Sequence, residues 1–364
     1  MHVVYHSFAG RFSDNPRAIY EGLCRREDRD GARQVRHTWV RDPLHSSAFP
    51  PGVATVHPDD PGLVAVLESA DLLVANTHTE VEWDKPAGTT YLQTWHGTPL
   101  KRIHHDVLLA PPGRLDRLDR DVARWDALLS PNAASTPRLR GAFAFRGPVW
   151  ETGYPRNDVL LGAAAPAVRE ATRAELGIDP AETVVLYAPT WRDDEFFDDA
   201  EAEIPLRLRL GTLAERLGAG SGRPHRVLWR AHAMIASRVH GEVAPGVTDV
   251  SLHRDPAELY LAADVLVTDY SSVMFDFALT GKPVVFHVDD LDRFRDEIRG
   301  FYFDLLPQAP GPVVRTQDEL VEALLHPEPE RYAERYAAFR ATYGHLEDGH
   351  ATDRVLARLA ELGL

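Results

Sequence analysis

Short runs rich in Val, Leu and aromatic residues recur along this chain, separated by stretches whose apolar positions fall at helical spacing. In the first half, VVYHS, RQVRHTWV, VATVH, DLLVANT, TYLQTW, ALLSP and PVWETGYP read as strands. NPRAIYEGLCRR, DPGLVAVLESA and NAASTPRLRGAF read as helices between them, the first with Asn15 as N-cap and Pro16 at the first helical position. A second series follows, with TVVLYAPT, RVLWRAH, VTDVS, ADVLVTD and KPVVFHV as strands. Its helices are IPLRLRLGTLAERLG, DPAELYLA, SVMFDFALTG and the C-terminal ATDRVLARLAELG. The Ala- and Pro-rich stretch from Gly162 to Glu182 is the expected linker region. Strands alternating with helices predict mostly parallel sheets covered by helices. The fold expected is therefore α/β, with two Rossmann-like domains facing a central cleft. The expected boundaries are 1–165, 166–345 and a C-terminal helix in 346–364 that packs back across the domains. In such sheets ligands sit beyond the carboxyl ends of the strands.

A length of 364 residues fits two domains better than one core. The single cysteine, Cys24, excludes an intrachain disulfide and fits a reducing cytoplasm. The opening MHVVYHSFAGRF lacks the pattern of a signal peptide. No apolar run approaches the ~20 residues that cross a bilayer, so the expectation is a cytoplasmic protein, at most peripheral on the inner membrane face. A net charge of −15 argues against nucleic-acid binding. The span His96–Arg156 nevertheless holds ten Lys and Arg against six Asp and Glu, a net +4 that leaves −19 for the rest. Two readings of it stand side by side: a salt-bridged, solvated helix around RLDRLDRDVARW, or a surface for anionic lipid or an anionic acceptor.

Polar clusters at strand ends carry the chemistry. QTWHGTPLKR places His96 at a strand tip beside Gly97, with Lys101 and Arg102 just beyond. In VTDYSSVMFDFALTGKPVVF a strand ends before Asp269, and Ser271 and Ser272 open a helix. Hydroxyls and amides at a helix start suit a phosphate, although a simple N-cap looks the same. Asp269 would repel phosphate and is read as orienting the loop or a ligand hydroxyl, and Gly281 as the helix C-cap. VLWRAHA puts Arg230 and His232 at another strand end, and LYAPTWRDD puts Thr190 and Arg192 at a third, with Trp191 as a stacking surface or a core aromatic. TGYPRND reads as a turn between domains, RGFYFD as core packing, and the Asp-Arg-Asp strings at Asp28 and Asp119 as surface charge. Asp290 and Asp292 are the only carboxylates singled out for a metal test. Dinucleotide, P-loop, zincin and hydrolase-elbow motifs are absent from the sequence.

These ordered pieces, followed by PGPVV, resemble the CDP-glycerol glycerophosphotransferase family, which includes teichoic acid primases and polymerases and some capsule polymerases; they run from about His78 to Val314. The resemblance implies a GT-B fold, with an acceptor-binding first domain and a second domain that binds CDP-glycerol. It implies transfer of glycerol phosphate to a hydroxyl of a lipid-linked saccharide or polyol phosphate acceptor at the membrane surface, with release of CMP. No cofactor or obligatory divalent metal is implied. The family's catalytic histidines fall on His96 and on His232, before which Ala231 stands where the family motif has proline. Donor phosphate and nucleotide would meet Arg230, Asp269, Ser271, Ser272, Thr190 and Arg192; the acceptor would meet Gly97, Thr98, Lys101 and Arg102. The chain looks like a minimal catalytic unit, which favours a primase or short-chain transferase. A ribitol phosphate transferase and a nucleotide-sugar GT-B glycosyltransferase are the alternatives. A non-catalytic paralogue would be expected to have lost one of the two histidines.

Overall fold

The computed structural model describes residues 1–8, 10–30, 35–108, 113–190, 206–231 and 244–364. Strands β1 (His2–His6), β2 (Arg36–Val40), β3 (Ala54–Val56), β4 (Leu72–Ala75), β5 (Thr90–Gln93), β6 (Ala127–Ser130) and β7 (Val149–Glu151) build one sheet in the order β3-β2-β1-β4-β5-β6-β7. Strands β8 (Thr183–Tyr187), β9 (His225–Trp229), β10 (Val247–Asp249), β11 (Val265–Thr268), β12 (Val284–His287) and β13 (Val313–Val314) build a second, in the order β10-β9-β8-β11-β12-β13. Every pairing is parallel. Strands β1, β4, β6 and β12 are buried along their whole length, as parallel strands covered on both faces must be.

Alternation along each strand divides the cores. Val4, Leu73 and Leu128 pack on one face of the first sheet, while Val3, Tyr5, Leu72 and Leu129 pack on the other. In the second sheet Val184 and Leu186 face one cluster, and Val185 and Tyr187 the other. The strand order reverses between β1 and β4 and again between β8 and β11. A crevice opens at such a reversal, beyond the carboxyl ends of the strands. The chain is thus an α/β protein of two Rossmann-like sheets.

Helix Ala165–Glu175 lies within the stretch expected as a linker. Its Arg169 and Arg173 grip Asp264 at 2.6 Å each, fastening it to the second half. Helix Pro329–Tyr343 buries Phe339 and Tyr343 against Phe275 of the second core. Helix Ala351–Glu361 then returns to the first half, where Val355, Leu356 and Leu359 join Val3, Tyr5 and Trp39. The added Cβ of any residue replacing Gly22 would come within 2.6 Å of Thr352, so the first helix and the last pack at close range.

The expected cap of the first helix is not found. The first helix spans Asp14–Asp30, so Asn15 lies inside it rather than capping it. Asn15 Nδ2 instead donates to the Trp95 carbonyl at 3.1 Å, and its Oδ1 accepts from Arg156 N at 3.1 Å.

Candidate functional site

Strand β5 ends at Gln93, and the next residues turn sharply. Gln93 Oε1 accepts from Trp95 N at 2.9 Å, while Trp95 adopts φ +52°. Phe8 and Asp14 also have positive φ, at +44° and +64°. Non-glycine residues seldom accept that conformation, and such strain gathers where geometry matters. Here the three surround His96. The Phe8 ring meets the imidazole edge-on at 5.2 Å, and the Trp95 ring lies 4.1 Å from it.

The half-buried His96 ring is oriented by one short bond, Nδ1 to the carbonyl of Asn76 at 2.6 Å. A carbonyl only accepts, so Nδ1 carries the proton and Nε2 keeps its lone pair. Asn76 follows β4, and its Oδ1 accepts from Phe8 N at 3.0 Å while its Nδ2 donates to Ser7 Oγ at 3.2 Å. His96 therefore sits at the reversal between β1 and β4. Burial pushes its pKa below the usual histidine value; the Asn76 carbonyl and Asp14 pull it back up, and Arg156 and Lys101 add to the lowering.

Across the cleft, Thr190 follows β8 and Asp269 follows β11, the corresponding reversal of the second sheet. Asp269 is buried, and its Oδ1 accepts from Thr190 N at 2.8 Å and Tyr270 N at 2.6 Å. Its carboxylate thereby ties the two strand-end loops together. Ser271 and Ser272 come next, with Ser272 at the N-cap of helix Val273–Ala278 and no side-chain capping bond. Gly281, expected as the C-cap of that helix, lies two residues past Leu279, which holds the position, and has φ +75° in the turn that follows.

The two halves touch at Gly97. A Cβ built there would lie 2.7 Å from Ser272 Oγ and 3.1 Å from Ser272 Cβ. Ser272 fills the space that this glycine leaves. The next residues extend the junction. Arg102 N donates to the Gly300 carbonyl at 3.0 Å, Tyr302 N donates to the Leu100 carbonyl at 2.8 Å, and Lys101 and Phe301 form an antiparallel bridge. RGFYFD is thus a docking strip between the halves as well as a packing element. Thr98 is buried, Lys101 is half-buried, and Arg102 is exposed.

Arg230 follows β9, and its Nη1 donates to the carbonyls of Val250 at 2.9 Å and His253 at 3.0 Å. Burial lowers its pKa. Arg11 of the first half is pushed down to about 10 by burial and by the neighbouring Arg230 charge. A cavity of about 150 Å³ between the halves is lined by Arg11, His45, His253 and Arg254 among others. Its lining also includes Glu175, which pairs with Arg254 at 3.2 Å, so the charge there is mixed. Trp191, Arg192 and His232 lie outside the described residues.

Other singled-out residues find ordinary partners. Asp290 Oδ1 accepts from Tyr270 OH at 3.1 Å, and Asp292 pairs with Arg295 at 3.2 Å and Arg315 at 3.4 Å, so the two are engaged separately. Asp121, within the string read as surface charge, is buried and accepts from Thr79 Oγ1 at 2.6 Å, Trp125 Nε1 at 3.0 Å and Tyr91 OH at 3.1 Å. The basic span is balanced from outside itself: Glu82 pairs with Arg120 at 2.7 Å and Arg124 at 3.3 Å, and Glu80 pairs with Arg117 at 3.6 Å. That favours the salt-bridged helix over an open cationic patch.

Sequence reasoning missed Asn76, Asp14, Arg156 and Asp276. Asn76 carried a legible signal, a polar residue at the tip of a buried apolar run. The other three look like helix starts and turns until the fold brings them together.

A family model described as CDP-Glycerol:Poly(glycerophosphate) glycerophosphotransferase matches residues 1–361. The chain is 35% identical to the teichoic acid poly(glycerol phosphate) polymerase of Bacillus subtilis (strain 168), over 97% of this chain and 48% of that protein, so it spans about half of that relative's length. It is also 35% identical to the teichoic acid glycerol-phosphate transferase of Staphylococcus aureus, over 97% of this chain and 91% of that one. The solved wall teichoic acid polymerase TagF superposes with a TM-score of 0.86 at 32% identity, covering 99% of this chain and 88% of that one; a variant soaked with CDPG superposes equally well.

Proposed function

The chain belongs to the CDP-glycerol:poly(glycerophosphate) glycerophosphotransferase family, and we propose that it transfers glycerol phosphate from CDP-glycerol to a hydroxyl of a polymeric cell-wall or capsule acceptor, releasing CMP. One observation carries this reading: the loop holding the oriented His96 abuts, through Gly97 and Ser272, the helix start of the opposite half.

Phosphoryl transfer asks little covalent work of a protein; it asks for positioning and charge stabilisation. An acceptor hydroxyl is a poor nucleophile at neutral pH and gains from a base in reach. Neutral His96 offers Nε2 for that proton, and its lowered pKa keeps the lone pair available at pH 7. The hydroxyl oxygen attacks the phosphorus of the glycerol phosphate. The bond from that phosphorus to the bridging oxygen breaks, and CMP leaves with that oxygen. In this reading the first half binds the acceptor and the second the donor. Ser271, Ser272 and Thr190 meet the donor phosphates on loops fixed by Asp269. Arg230, Arg192 and His232 offset charge on the leaving CMP. Lys101 and Arg102 form the acceptor side, the two cations favouring an anionic polymer, while Gly97, against Ser272, and buried Thr98 shape it from behind. With that charge supplied by side chains, the reaction needs no tightly bound divalent metal.

The acceptor is lipid-linked, and the protein works as a peripheral enzyme on the inner membrane face. Among the described residues, no helix is long and apolar enough to cross a membrane. The test is CMP release with CDP-glycerol, CDP-ribitol and UDP-sugars, each with a lipid-linked glycerol phosphate acceptor in vesicles, with and without EDTA. CDP-glycerol turnover that depends on acceptor and survives EDTA is the expected result. Turnover only with CDP-ribitol or a UDP-sugar overturns the donor, and loss in EDTA overturns the metal-free mechanism.

A further inference from the structure

The turn between the halves, Tyr154-Pro155-Arg156-Asn157-Asp158, does more than change direction. The Arg156 side chain is 8% exposed and lies between the equally secluded carboxylates of Asp14 and Asp276. Its Nη1 donates to Asp14 Oδ2 at 2.7 Å and to the His96 carbonyl at 2.7 Å, and its Nη2 donates to Asp276 Oδ2 at 2.8 Å. Asn157 Nδ2 donates to Asp276 Oδ1 and to Glu347 Oε1, both at 3.1 Å. Tyr154 OH reaches the Gly97 carbonyl at 3.3 Å, with its ring 4.8 Å from the guanidinium.

A buried ion cluster is seldom the most stabilising way to fill a junction, since desolvating the charges costs about what their attraction returns. Geometry explains this one better. Asp276 lies in helix Val273–Ala278, which Ser272 opens. Asp14 begins the first helix with φ +64°. One planar guanidinium thus holds the backbone of His96 and the helix that starts at the donor side, a span a lysine could not match bond for bond.

The geometry points to Arg156 and Asp14 as a positioning pair for the transfer: Arg156 fixes the His96 peptide relative to the helix of Ser271 and Ser272, and Asp14 holds Arg156 in place. This rests on His96 being the base. The pair also sets the charge around the imidazole. The charged and titratable groups facing it are Asp14, Arg156, Lys101 and the His78 ring; Phe8 and Trp95 are apolar. Removing the Arg156 cation raises the proton affinity of His96, and removing the Asp14 anion lowers it.

The experiment is the pH dependence of kcat/KM for CDP-glycerol, in wild type, Arg156→Gln, Arg156→Lys, Asp14→Asn and His96→Ala. A misplacement near 1 Å costs on the order of 10²-fold, so kcat falls about 10- to 100-fold in both Arg156 variants. The acidic limb moves to higher pH in Arg156→Gln and to lower pH in Asp14→Asn. It stays in place in Arg156→Lys, which keeps the charge and loses the fork. A purely structural role lowers activity and melting temperature without opposite shifts. If Arg156→Gln does not fold, Arg156→Lys and Asp14→Asn decide the matter. Unshifted limbs with kcat within about 3-fold of wild type, beside an inactive His96→Ala, overturn the positioning pair alone. Full activity in His96→Ala overturns the base assignment and the pair with it.

Discussion

Replacing Gly97 with alanine tests the contact that joins the halves. Gly97 is not among the glycines with positive φ, so its backbone tolerates a side chain, and the obstacle is external. The new methyl would stand 2.7 Å from Ser272 Oγ and 3.1 Å from Ser272 Cβ. The hydroxyl can rotate away at small cost. The Cβ cannot, because it is fixed to the start of helix Val273–Ala278. Relief requires the His96 loop and that helix to part by a few tenths of an ångström. Overpacking of this kind costs about 1–3 kcal/mol, and one rigid contact puts it near the lower end. That lowers the melting temperature by about 2–4 °C per kcal/mol for domains of this size. Activity suffers more, because base and donor move apart: a loss of about 10- to 100-fold in kcat/KM. The assay pairs thermal melts with CMP release for Gly97→Ala, Ser272→Gly and the double variant. Ser272→Gly removes both contacting atoms and costs only a few tenths of a kcal/mol as a cap. The double variant should therefore melt close to Ser272→Gly alone, a coupling of about 1 kcal/mol or more. A Gly97→Ala protein that melts and turns over like wild type, or strictly additive losses in the double variant, would refute the reasoning.

Two further outcomes concern stability. Asp121→Ala leaves the donors of Thr79, Tyr91 and Trp125 without their acceptor, so it should cost about 3 kcal/mol or more, visible as a lowered midpoint in urea. His6 is held down to about 4 by burial, so between there and its ordinary value near 6.5 the unfolded chain binds the extra proton. Stability therefore falls as pH drops through that window, by about 3 kcal/mol from this residue, and urea midpoints of His6→Gln should fall less steeply below pH 6.5 than those of wild type.

Much of the architecture was legible because buried parallel strands announce themselves as unbroken apolar runs; β1, β4, β6 and β12 are of this kind. Strand β13 escaped because Val313 and Val314 are too few to form a pattern. Helix Pro329–Tyr343 escaped because it buries only Phe339 and Tyr343, so its sequence shows no apolar stripe. Within the site, the polar strand tips were readable, since a parallel sheet presents ligands there whatever the loops do. Partnerships between distant residues were not. Arg156 is separated from Asp14 by 142 residues and from Asp276 by 120, and no local rule links them. Asn15 shows the same limit in reverse. Its place before a proline fits a helix cap, yet its side chain is used to join Trp95 to Arg156.

The central claim is that His96 Nε2 takes the acceptor proton while the opposite half holds the donor. The most direct measurement is acceptor-dependent CMP release from CDP-glycerol by wild type, His96→Ala and His96→Gln, beside the Kd of each for CDP-glycerol. Removing a general base costs about 10²–10⁴-fold, and the donor site lies on the other half. The account predicts a kcat loss of that size with a Kd within a few-fold of wild type. Turnover retained without the imidazole would contradict it.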